Sequence, residues 1–173
     1  MKKIISALLA LTLALLLAAC GGKTDSTDAA YVFLDEKLGV ESYAIGFRQG
    51  DEDLAKTVSG AVMALVLDGT YDKIGDKYPD IKDYLCLTAD DVDKSAIPEK
   101  GSGDASYTFK HGFDLDYPPY SYLKDDGSVG GFDVELAKAV CEYMGWKYEA
   151  VPFNWEAKDM ELNAKSCDCI WSG

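Results

Sequence analysis

Apolar positions along the chain follow two periods. Leu54, Val58, Ala61, Val62 and Leu65 recur at helical spacing, which predicts a helix over about 52–67 with one face turned inward. Leu136, Ala137, Val140, Cys141 and Met144 repeat the pattern and predict a helix over 133–144, and residues 155–164 predict a third. Between them lie shorter runs that read as strands: 43–48, 107–113, 146–151 and 167–171. The punctuation agrees with these boundaries. Gln49-Gly50-Asp51 turns the chain, and Asp51 or Asp53 opens the first helix. Asp68-Gly69-Thr70 stops it, with Gly69 as the expected C-terminal residue and Thr70 as the cap of a short helix running to about Lys77. Gly145 ends the second long helix, and Asp133 is its N-cap or a first-turn anion. Pro118 and Pro119 hold the 113–122 stretch extended, and Gly127 supplies a positive φ for a tight Lys124–Gly127 turn. Strands that alternate with helices predict an α/β lobe of three layers. The aromatic loop after the 107–113 strand leaves the end of the sheet at which open α/β sheets bind ligands.

The ends of the chain change this picture. Lys2 and Lys3 precede an uncharged run from Ile4 to Ala19, the layout of a signal peptide over residues 1–19. The run is short for a membrane span, which needs about 20 apolar residues. Cleavage before Cys20 would leave 154 of the 173 residues, enough for one domain with a real core. Residues 20–30 are small and polar, as in a tether, and 81–106, rich in Asp, Pro, Gly and Ser, read as a surface connector with a turn of helix near 88–95. The formal charge is −13, which falls to −15 once the two leader lysines are removed. A chain this acidic does not bind nucleic acid through its charge.

Cys86, Cys141, Cys167 and Cys169 read as small buried residues; Cys167 and Cys169 share one strand face and do not face each other. No Cys-x-x-Cys occurs and His111 stands alone, so no metal site and no cofactor is expected. His111 itself reads as a surface strand residue without a nucleophile beside it.

Several of these stretches occur in one known family. Asp114, the Tyr117-Pro118-Pro119-Tyr120 loop, the turn and Gly131-Phe132-Asp133-Val134-Glu135-Leu136-Ala137, followed by 146–152, 155–162 and 167–173, resemble the opening of the bacterial family-3 extracellular solute-binding proteins, receptors of polar amino-acid ABC transporters. Ala44-Ile45-Gly46-Phe47, Gly50-Asp51-Glu52-Asp53-Leu54 and Asp68-Gly69-Thr70-Tyr71 resemble the close of the same family. The tail-like part (31–80) therefore precedes the head-like part (107–173). The resemblance implies a single Rossmann-like lobe of a type II periplasmic-binding-protein fold, circularly permuted, with the second lobe absent. A piece of a longer protein and a remnant of a fused tandem pair both fit this order.

The resemblance also implies roles. Leu17-Ala18-Ala19-Cys20 is similar to a bacterial lipobox, with Cys20 lipidated and the protein anchored outside the cell membrane. Tyr117 and Trp155 would cover an amino-acid ligand from two sides, and an aromatic face attracts its ammonium by about 0.5–2 kcal/mol. Asp114 would favour cationic ligands, and Ser172 and Gly173 would meet the ligand through hydroxyl and amide. The partners implied are a small-molecule amino acid and a membrane permease. The arginine that clamps the ligand carboxylate in the family has no counterpart: the one arginine, Arg48, lies in the tail-like strand. An extracytoplasmic sensory or interaction module that reuses one lobe is the alternative. An enzyme is the remaining class, and it would need a paired acid and base among Asp114, Asp116 and Glu156.

Mass spectrometry of the mature N-terminus, after expression in a bacterium, is expected to find a diacylglyceryl group on Cys20; an unmodified chain that keeps residues 1–19 would overturn the anchor.

Overall fold

The computed structural model describes residues 43–172. The expected signal peptide, Cys20, the 20–30 tether, residues 31–42 and Gly173 lie outside the described residues. In chain order the elements are β1 (Gly46–Phe47), α1 (Glu52–Leu67), α2 (Thr70–Gly75), α3 (Pro79–Lys82), β2 (Thr108–Phe113), β3 (Asp116–Tyr117), β4 (Ser121–Leu123), β5 (Val129–Gly130), α4 (Phe132–Met144), β6 (Lys147–Pro152), α5 (Lys158–Asn163) and β7 (Cys169–Ile170). Short 3-10 turns sit at Ala89–Asp91, Lys94–Ala96 and Trp155–Ala157.

The main sheet has the order β1-β7-β2-β6. β2 runs parallel to β6 from Thr108↔Lys147 to Phe113↔Pro152, and parallel to β7 at His111↔Cys169. β1 closes the edge antiparallel to β7, with Gly46 opposite Ile170. The chain moves from β2 to β6 on one side, then back past β2 to β7. Right-handed crossovers therefore place α4 and α5 on opposite faces, which makes the three layers. A small antiparallel sheet, β3-β4-β5, forms from the aromatic loop and its turn.

One core spans the tail-like and head-like parts. Val58, Ala61, Val62 and Leu65 of α1 cluster with Leu136, Ala137, Val140, Cys141 and Met144 of α4 and with Phe109 of β2. Both helical faces are those predicted from spacing. α1 ends at a left-handed glycine, Gly69 at φ 76°, and α4 ends at Gly145 at φ 79°. The expected connector is laid down rather than loose. The Tyr143 hydroxyl donates to the Pro98 carbonyl at 2.8 Å, and Gly101 and Gly103 donate to the last carbonyls of α4. A Cβ at Gly60 would stand 2.2 Å from the Ala96 carbonyl oxygen, so the connector crosses α1 at a position only glycine allows.

Several local expectations are corrected. The strands predicted at 43–48 and 167–171 pair over two residues each, and the Arg48 carbonyl already accepts from the Asp51 amide at 3.1 Å in the turn into α1. Asp51 stands at the N-cap of α1 without capping it; its carboxylate pairs with Arg48 at 2.6 Å. Thr70 is the first residue of α2, and Gly69 precedes it. The helix predicted at 155–164 divides into a 3-10 turn, whose Asn154 side chain accepts from the Glu156 amide at 3.0 Å, and α5.

Arg48 joins the layers. Its Nη1 donates to the carbonyls of Leu162 at 3.1 Å and Cys167 at 2.5 Å, and its Nη2 meets Asp51 at 2.6 Å and Asp168 at 3.6 Å. Asp168 in turn accepts from the Lys110 amide and the Tyr107 hydroxyl. Arg48→Ala is expected to lower stability by about 2–3 kcal/mol in urea unfolding, because part-buried carbonyls and a carboxylate lose their donor. Lys56→Ala, which removes an exposed pair with Asp53, is expected to stay within about 0.5 kcal/mol.

Candidate ligand-binding site

The parallel strands β7, β2 and β6 are neighbours, so the loops that follow them emerge at one end of the sheet. Asp114 and Tyr117 follow β2, Trp155 follows β6, and Ser172 follows β7. The connection order reverses between β7 and β2, the place where open α/β sheets form a crevice. The structure thus brings Asp114, Tyr117, Trp155 and Ser172 to one end of one sheet. Gly173 lies outside the described residues.

Each of the four is differently occupied. Tyr117 is 39% exposed, and one face of its ring stacks on Tyr120 with centroids 5.4 Å apart. Tyr120 stacks in turn on Tyr43 at 5.3 Å, so three rings form a column whose outer member faces solvent. Trp155 is half-buried, stacks on Phe153 and carries the Lys158 ammonium 5.3 Å from its ring centre. Asp114 Oδ1 accepts from the Asp116 amide at 2.9 Å, which fixes the loop and engages one carboxylate oxygen. Ser172 is buried, and its hydroxyl shares a 2.8 Å hydrogen bond with Ser121. Tyr120, Tyr43 and Ser121 were not picked out by spacing. Tyr120 belongs to the aromatic-proline loop, but nothing in the sequence signals that Tyr43 joins it across 77 residues.

Two titratable groups lie beneath this end. His111, expected at the surface, is fully buried, because β2 is an interior strand and its odd-numbered side chains face the core. Its Nε2 stands 2.9 Å from the Trp171 carbonyl and its Nδ1 3.0 Å from the Tyr148 hydroxyl. A carbonyl can only accept, so Nε2 donates and Nδ1 accepts from Tyr148. Burial holds the ring neutral and pushes it down to about 4. Asp133 is also buried, in the first turn of α4, which begins at Phe132 after Gly131. Burial pushes its carboxyl up to about 7, while the Tyr43 hydroxyl, which donates to Oδ2 at 2.5 Å, and the Trp171 indole hold it back. The expectation of a plain first-turn anion is corrected accordingly.

Cys141, Cys167 and Cys169 are buried and free as expected, but Cys86 is exposed, because its loop lies outside the core. Among the described residues, no three His, Cys, Asp or Glu side chains are grouped to hold a metal ion, and no helix is long and apolar enough to cross a membrane.

Residues 109–173 match the family described as bacterial extracellular solute-binding proteins, family 3. The L-cystine-binding protein TcyJ of Escherichia coli (strain K12) is 32% identical over 59 residues, 34% of this chain and 22% of that protein. The arginine-binding extracellular protein ArtP of Bacillus subtilis (strain 168) is 37% identical over 62 residues, 36% of this chain and 24% of that protein. An ancestral cationic amino-acid solute-binding protein of solved structure is 38% identical over 38% of this chain and 29% of that chain, with a TM-score of 0.37. The chain spans about a quarter of the length of the curated relatives it matches.

The buried acid and the buried base act on stability in opposite directions. Acidification from 6.5 to 4 charges an unfolded histidine but not His111, so that contribution is lost as pH falls through this window. An unfolded aspartate releases its proton near 3.8 while Asp133 keeps it to about 7, so that contribution is present at low pH and lost as pH rises. Asp133→Asn removes only the second. Its stability relative to the parent is expected to rise between pH 4 and 7 by on the order of 4 kcal/mol in urea unfolding. A difference that does not change with pH would overturn the assignment.

Proposed function

We propose, from the match of residues 109–173 to the bacterial extracellular solute-binding proteins of family 3, that the chain is the substrate-binding component of an ABC importer for a polar amino acid or a similar amine-bearing solute. The tail-like and head-like parts, over the described residues 43–80 and 107–172, build one lobe of a type II binding protein with the family's tail ahead of its head. The pairing of β1 with β7 and the packing of α1 on α4 support this order. Cys20 carries the lipid that holds the protein outside the cell membrane, beside its permease.

The observation that carries this reading is the exposed outer ring of Tyr117 at the carboxyl end of β2, with Trp155 at the end of the adjacent parallel strand. Tyr117 receives the apolar part or the ammonium of the ligand on its free face, and Trp155 forms the second wall. The free oxygen of Asp114 attracts a cationic ligand. Ser172 holds the sheet end in place through Ser121, and Gly173 offers its amide to the ligand. Two named relatives, one cystine-binding and one arginine-binding, support an amino acid as the solute class. Asp116, in β3, and Glu156, in the turn after β6, are both exposed.

Pockets of this kind bury most of their ligand, and one open lobe leaves about half of it wet. Calorimetry on residues 20–173 is therefore expected to find one polar amino acid bound on the order of millimolar. Tyr117→Ala and Trp155→Ala are expected to weaken that binding by about 1–3 kcal/mol each. Binding that neither substitution changes would overturn the site.

A further inference from the structure

A cavity of about 450 Å³ lies on the flank of the lobe, between α1, β1 and the first half of α4. Its volume is that of a small-molecule pocket. Asp114, Tyr117, Trp155 and Ser172 do not line it, although Tyr43 and Tyr120 of the column behind Tyr117 do. Its wall is apolar, built largely from Ile45, Val62, Leu85, Phe132, Leu136 and Trp171. Tyr43 and Tyr84 also line it and are 47% and 76% exposed, so solvent reaches the cavity from their side.

One carboxyl group, Asp133, stands in this wall, and among the described residues that line it there is no Lys, Arg or His. Asp133 is 1% exposed, and its carboxyl is held by the Tyr43 hydroxyl and the Trp171 indole. A carboxylate has about four lone-pair sites, so two neutral donors leave acceptor capacity unused and the charge without a cation. A ligand carboxylate entering here would be buried without a cation, a costly state. A ligand ammonium would meet Asp133, and its apolar body would meet the wall.

We propose that this cavity is a second binding site, which takes a small aromatic or branched aliphatic primary amine that lacks a carboxylate, with the ammonium on Asp133. It differs from the amino-acid site in place and in chemistry. That site selects a solute with both charged groups, and this one rejects the carboxylate.

The probes are 2-phenylethylamine, 2-phenylethanol and L-phenylalanine, titrated against the whole chain and followed by tryptophan fluorescence, since Trp171 is in the wall. The amine is expected to saturate with a Kd at least tenfold below those of the alcohol and the amino acid, about 1.4 kcal/mol. Asp133→Asn, which keeps the shape and a partner for Tyr43, is expected to bring the amine and the alcohol level. Ala55→Phe, which sets a ring into the cavity from α1, is expected to abolish both titrations. Cys86 is exposed and lines the same cavity. Saturating amine is expected to slow its alkylation, read by mass spectrometry of the Cys86 peptide, and this readout stands should Ala55→Phe not fold. Trp155→Ala, which weakens amino acids if the site at the sheet end is right, leaves the amine titration as it was, so either site can fail alone. No saturation by the amine, equal titration by the alcohol, or saturation without protection of Cys86 overturns the proposal.

Discussion

The lobe depends on one guanidinium. β1 meets β7 over only two residue pairs, too short a ladder to hold an edge strand and the helix behind it. Arg48, at the end of β1, makes up the difference by bonding the carbonyls on either side of the turn into β7 and two carboxylates. That anchor fixes where α1 starts, and α1 supplies Val58, Ala61, Val62 and Leu65 to the core in which α4 packs. The five donors of the fork suit a site with several acceptors in different directions, which a lysine would not fill. Arg48 is thus a structural residue, and at the candidate end of the sheet Lys158 stands over Trp155.

Beneath that end the lobe buries an imidazole and a carboxyl group, each in its uncharged form at mildly acidic pH. Their opposed linkages compensate each other between about pH 4 and 6.5. Both are tied to Trp171, His111 through the carbonyl and Asp133 through the indole. The last described turn of β7 is therefore held from two sides without a buried ion pair, which would carry a large desolvation penalty.

Periodicity made the long helices legible: the spacing of Val58, Ala61, Val62 and Leu65 and of Leu136, Ala137, Val140 and Cys141 contains the whole instruction for their inner faces. Turn chemistry at Gly69, Gly127 and Gly145 was legible for the same reason, since positive φ restricts the residue type. The short strands were not, because β1 and β7 are flanked by side chains, Tyr43 and Arg48, whose partners lie 90 and 119 residues away. The burial of His111, expected at the surface, and of Asp133, expected as an N-cap or first-turn anion, comes from neighbouring strands and helices, not from their own segments. Of the site, the loop positions of Tyr117 and Trp155 followed from strand order. The column behind Tyr117 and the Ser121–Ser172 bond arise from long-range contacts that spacing does not encode.

The separation between β1 and β7 also orders events in time. The apolar face of α1 is synthesised first, yet its main partner α4 ends 77 positions later, and the edge pairing waits until Ile170 exists. At about 5–20 residues per second, that face stays uncovered for several seconds on the ribosome. Contacts this distant in sequence also make for slow folding after release. A lobe whose first long helix is made well before its packing partner thus exposes an apolar face during its own manufacture.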